Sequence, residues 1–129
     1  MKIIKVNSLK EIDKLIAEHI FGWTGFWEEV QGRHYLMGYS PVEQPIQVGY
    51  SEREEVWYYS TDIKVAWNIL DNFIKNKIKT QIKKIEKSDW EIWLSPKEGL
   101  TNISTASTPE LAICLAALKT KGIKIELDL

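Results

Sequence analysis

The sequence predicts a mixed α+β fold, on three observations. Three segments carry apolar residues at three- and four-residue spacing, with capping signals at their ends. Between and after them lie runs that alternate apolar and polar residues, as half-buried strands do. Glycine and proline gather between these runs, where the chain must turn. At 129 residues the chain suits one domain spanning 1–129.

The first helix is expected over Val6 to Phe21. Leu9, Ile12, Leu15, Ile16 and Ile20 share a face, and Ser8 with Glu11 has the spacing of a capping box. Gly22 follows as a stop, because glycine accepts the left-handed conformation after a last turn. From Gly22 to Tyr58 short aromatic runs alternate with Gly and Pro, which predicts two or three short strands. The charged run Ser51 to Glu55 is expected as a solvated loop. Trp57 and Tyr58, read as strand residues, would face opposite ways.

The second helix starts in "YYSTDIKVAW", Tyr58 to Trp67. Ile63, Ala66, Trp67, Leu70, Phe73 and Ile74 recur at helical spacing, so Trp67 is expected in the core, as is Trp23. Ser60 or Thr61 is the expected N-cap, since a hydroxyl oxygen can accept from a free first-turn N–H. Asp62 would then complement the helix dipole. Lys79 to Leu94 reads as a β-hairpin around "KSD". Trp90, Ile92 and Leu94 fall on one side, with Pro96 and Gly99 closing it. "TNISTAS" suits a further strand. The third helix has Thr108 as N-cap and Pro109 as first residue, where a missing N–H costs nothing. Gly122 ends it. The tail "IKIELDL" alternates strictly and predicts an edge strand, paired within the chain or with another copy.

Composition excludes several function classes. With 17 basic and 18 acidic residues the net charge is −1, unlike a protein of duplex nucleic acid. No stretch reaches the roughly 18 apolar residues of a membrane span. The N-terminal apolar run is too short for a signal peptide. The one cysteine, Cys114, permits no internal disulfide and lies in an apolar helix face. The expectation is a cytoplasmic protein. His19 and His34 are the only histidines and have no ligand-spaced partners, so no metal is expected. No P-loop and no GxGxxG is present, so no cofactor is expected. No nucleophile–base set is visible, and the expectation is not an enzyme.

Three blocks stand in order: "LIAEHIFGW" (Leu15 to Trp23), "YYSTDIKVAW" and "STPELAICLAAL" (Ser107 to Leu118). Together they resemble the phage ABA sandwich domain family. The resemblance implies an α-β-α sandwich, a mainly antiparallel sheet with helices on both faces, in a small phage or prophage protein of a bacterial host cell. Leu115 departs from it, standing where the family often has Arg. The tail after Gly122 lies beyond the usual pattern.

A helix N-terminus with free N–H groups is a ready anion site. Aromatic rings stack on bases, and arginine forks pair phosphates. The chain has two arginines, Arg33 and Arg53, both before the second helix. The candidate ligand-binding residues are therefore Arg33, His34, Arg53, Trp57, Tyr59, Ser60, Thr61 and Asp62. Three readings compete. The first, by analogy with other small phage proteins, is a sponge for a nucleotide-derived host immune signal, such as a cyclic nucleotide or an ADP-ribose derivative, acting as a homo-oligomer. The second is a protein-interaction accessory without a small ligand. The third, a phosphoester hydrolase, lacks a visible catalytic set.

Overall fold

The computed structural model describes residues 1–30, 32–42, 49–85, 89–97 and 100–128. The element order is β1 (Lys2–Val6), α1 (Leu9–His19), β2 (Thr24–Val30), β3 (His34–Val42), β4 (Gly49–Glu55), α2 (Ile63–Lys75), β5 (Lys79–Ile85), β6 (Asp89–Lys97), β7 (Leu100–Ala106), α3 (Pro109–Thr120) and β8 (Ile123–Leu127). The strands form a parallel pair, β1-β8, and two antiparallel three-stranded sheets, β2-β3-β4 and β5-β6-β7. This is the expected α+β, mainly antiparallel arrangement, with the strands divided among small sheets.

α3 is the centre of the packing. Its sequence is apolar on every side, and a helix of that kind must be covered all round. Leu111 to Cys114 and Ala116 to Leu118 are buried, and the helix touches β6, β7, β8, α1 and α2. Thr108 Oγ1 accepts from Leu111 N at 3.3 Å, as its cap position predicts. Leu115 lies half-buried against the core, a place where an uncharged side chain fits. Cys114 is fully buried, which pushes its thiol up in pKa and keeps it uncharged.

Several expectations are corrected here. α1 is shorter than Val6 to Phe21, because Val6 belongs to β1 and is itself in the core. The capping box is not formed: Ser8 makes no side-chain cap, and Glu11 Oε2 accepts from Asn7 N at 2.7 Å instead. Gly22 does take the left-handed conformation, with φ of 75°. Residues 49–55 form β4 and not a loop. Its charges suit its place at the edge of the β2-β3-β4 sheet, where they discourage further pairing. β4 ends at Glu55, so Trp57 and Tyr58 follow the strand and are both about half exposed.

α2 buries Ala66, Ile69, Leu70 and Phe73. The buried face is thus turned toward Ile69. Trp67 is 48% exposed, with Ile63 and Ile74 beside it, and the expected core role of Trp67 is wrong. Trp23, at 4% exposure, is in the core as expected. The β5–β6 hairpin has the expected faces, with Ile92 and Leu94 fully buried. The centre of its "KSD" turn and Gly99 lie outside the described residues. β6 runs through Pro96, where the pairing with β7 shifts register, as a strand proline requires. The tail pairs within the chain: β8 lies parallel to β1, with Ile4 opposite Ile125.

Candidate functional site

The short connection from β4 to α2 carries the residues singled out above, and it is tied down from below. Ser60 N donates to Asp13 Oδ1 at 2.7 Å, and Ser60 Oγ donates to the Leu9 carbonyl at 3.2 Å. Asp13 is 4% exposed, and burial raises its pKa to about 6 against the lowering effect of the Ser60 hydrogen bonds. Ser60 is therefore a buried strut between α1 and the start of α2, and not an anion-binding hydroxyl. The N-cap of α2 is Asp62, whose Oδ1 accepts from Lys64 N at 2.9 Å. Neither Ser60 nor Thr61 caps the helix. The terminus is served by a carboxylate of its own chain, which meets the first-turn donors and opposes a second anion.

The aromatic residues of the same connection do meet a cleft. Tyr59 is 2% exposed, and its ring stacks on Phe21 at 5.3 Å with 12° between planes. Burial, and after it the charge of Asp13, raise the Tyr59 phenol's pKa, so it stays protonated. Trp57 tilts against Tyr59 at 6.2 Å and is 47% exposed, so it offers ring surface to a visitor. These residues, with Trp23, Ser40, Pro41 and Glu54, form one wall of a cleft of about 490 Å³.

The facing wall is α2. Asn68, Asp71, Asn72 and Lys75 recur at helical spacing, on the side opposite the buried face. Two amides, one carboxylate and one ammonium are thus presented to an aromatic wall over about two helical turns. This stripe is legible in the sequence as a polar face of an amphipathic helix. On sequence alone such a stripe reads as a solvated face, because a polar stripe usually faces only water. The cleft that turns it into a lining is made by distant residues, Phe21, Trp23 and Pro41.

A second cleft of about 410 Å³ adjoins the first along Trp57 and Asn68. It is lined also by Glu55, Val56, Tyr58, Lys64 and Val65. The Tyr58 hydroxyl donates to Glu55, which raises the phenol's pKa. Arg33 lies over the Tyr35 ring at 4.6 Å and acts electrostatically on Tyr58 and Glu55. It is near the second cleft but lines neither. His34 is exposed at the start of β3, its carbonyl accepting from Lys10 Nζ at 2.6 Å, and lines neither cleft. The Arg53 backbone lies opposite Tyr39, and its side chain is outside what the structure describes. Of the eight candidates, then, Trp57 and Tyr59 meet in a cleft. Ser60, Thr61 and Asp62 serve the turn and helix start. Among the described residues, no three His, Cys, Asp or Glu side chains gather as a metal site. Among the described residues, no helix is long and apolar enough to cross a membrane.

The phage ABA sandwich domain model matches residues 14–118, which takes in both walls of the cleft and α3. The chain belongs to the phage ABA sandwich domain family. The match stops short of β8, in keeping with a tail beyond the family pattern. A phage protein from Bacillus cereus ATCC 14579, known from a 2.0 Å crystal structure, is similar to this family member at a TM-score of 0.66. The two are 21% identical, and the match covers 94% of each chain. At that identity the likeness concerns the fold. No curated protein matches this ABA sandwich chain.

Proposed function

We propose that this ABA sandwich protein is phage-derived, binds a nucleotide-derived small molecule without turning it over, and sequesters a host immune signal of that class. One observation carries the reading: the cleft sets exposed Trp57 against the amides, carboxylate and ammonium of Asn68, Asp71, Asn72 and Lys75. A ring can stack on Trp57 while its edge meets an amide, which can both donate and accept. Ribose hydroxyls suit Asp71 and Glu54, and a phosphate suits Lys75. The lining holds two carboxylates to one ammonium, which favours a ligand rich in hydroxyls and poor in phosphate. ADP-ribose derivatives and cyclic dinucleotides each carry two phosphate charges together with free sugar hydroxyls, so both classes belong in the test.

A sponge must bind at nanomolar concentration, about −12 kcal/mol. One stacked base contributes about 1–3 kcal/mol, so several polar contacts must act with it. Calorimetry against cyclic ADP-ribose isomers, ADP-ribose and cyclic dinucleotides tests the reading. Binding of at least one member of this panel, lost in Asn72→Ala and Trp57→Ala, is the expected result. No heat across the panel would overturn it.

A second reading, a protein-interaction domain, is favoured by a separate observation. Ile63, Trp67 and Ile74 form an apolar stripe on α2 at 42, 48 and 54% exposure. Self-association over that stripe would cover it, in keeping with a homo-oligomer. Light scattering that gives a 15.0 kDa particle at all micromolar concentrations would count against self-association.

A further inference from the structure

We infer that the two adjoining clefts are one bipartite groove, straddled by Trp57, that takes a ligand with two planar rings joined by a hydroxyl-bearing linker. The inference rests on the ligand-binding reading above and goes further in naming the ligand's architecture.

Four observations support it. Trp57 and Asn68 line both clefts, one from each wall, so the clefts meet at a shared stacking ring and a shared amide. The helix-side wall runs on without a break, and the strand side contributes one glutamate to each cleft. On the strand side the adjacent residues Glu54 and Glu55 line the first and second clefts respectively. On the helix side the lining passes from Lys64 and Val65 through Asn68 to Asp71, Asn72 and Lys75. The twelve residues of helix from Lys64 to Lys75 make a groove about 16 Å long, more than one nucleoside fills.

The chemistry repeats on either side of Trp57. Each half has ring surface, from Trp57 with Tyr59 in one and Tyr58 in the other. Each half has a glutamate near the centre and one lysine, Lys75 or Lys64, toward its own end. A half-exposed tryptophan between two such halves can stack a ring in each, and the central carboxylates can accept from sugar hydroxyls. A single-ring ligand would leave one half filled with water.

The experiment compares adenosine and adenosine monophosphate, each with one ring, with the dinucleotide adenylyl-adenosine, by calorimetry on the full chain. A second stacked base is worth about ten- to a hundredfold in affinity. The dinucleotide is therefore expected to bind at least about tenfold tighter than either single-ring probe. Tyr58→Ala should remove that advantage, leaving the dinucleotide no tighter than adenosine, whereas Asn72→Ala should weaken all three probes. Tyr58 is about half exposed, so its replacement leaves the core intact. Should adenosine bind and the dinucleotide bind no tighter, the bipartite groove is wrong and the simpler binding reading stands. An advantage that survives Tyr58→Ala and Val65→Trp together would also overturn the bipartite groove. Should none of the probes bind, both fall for the nucleoside class.

Discussion

α2 and α3 are similar in length and touch each other, yet they do opposite work. α3 is apolar on all sides and buried from Leu111 to Leu118 apart from half-buried Leu115. Only Leu115 and the helix ends reach the surface, where Leu115 and Lys119 line a separate cleft of about 350 Å³. α2 buries one face, leaves Ile63, Trp67 and Ile74 partly exposed on a flank, and turns Asn68, Asp71, Asn72 and Lys75 to the cleft. Stability is concentrated in α3, and the proposed recognition lies on α2. Substitutions should separate the two.

The largest effect belongs to α3. Leu118→Ala removes a fully buried side chain and should cost about 2–5 kcal/mol in chemical denaturation. A near-neutral result would remove α3 from the centre of the core. Next comes the strut beneath the cleft. Asp13 titrates at about 6 in the fold, above its ordinary 3.8. The fold thus holds this proton more tightly than the unfolded chain does. The contribution is fully present below about pH 4 and is lost as pH rises through about 6, by up to about 3 kcal/mol. Denaturation of the wild type beside Asp13→Asn, at pH 4 and pH 7.5, should show the wild type losing ground to the variant at the higher pH. Parallel pH profiles would contradict the buried carboxyl.

Smaller effects follow on α2. Asp62→Ala removes its cap and should cost about 1 kcal/mol. Trp67→Ala, for all its size, should cost no more than that, because about half of the side chain is already in water. A loss of several kcal/mol there would return Trp67 to the core. Asn72→Ala should leave the denaturation midpoint in place while weakening ligand binding.

The contrast between the helices also explains what could be read from the sequence. α3 was legible throughout: cap, proline, apolar run and glycine stop all agree, and no distant residue changes their meaning. α2 was legible as a helix, but its rotation was not. Ile63, Trp67 and Ile74 fit the same helical period as Ala66, Leu70 and Phe73, and only the packing partners decide which set goes in. The cap was misplaced for a similar reason, since Ser60 is engaged by Asp13, 47 residues earlier. β1 is not evident in the sequence because, among the described residues, its strand partner is β8, at the other end of the chain. The cleft was half legible. Trp57 and Tyr59 stood out as aromatic, whereas Phe21 and Pro41 join them only through the fold.

The central claim is that a ligand meets the flank of α2 and not its N-terminus. Amide chemical-shift mapping tests this most directly, with an ADP-ribose-type ligand titrated into labelled protein. The account predicts that the side-chain amides of Asn68 and Asn72 and the Trp57 indole N–H shift together, while the backbone amides of Ser60 to Lys64 shift least. Shifts centred on Ser60 to Lys64, with Asn68 and Asn72 unmoved, would contradict it.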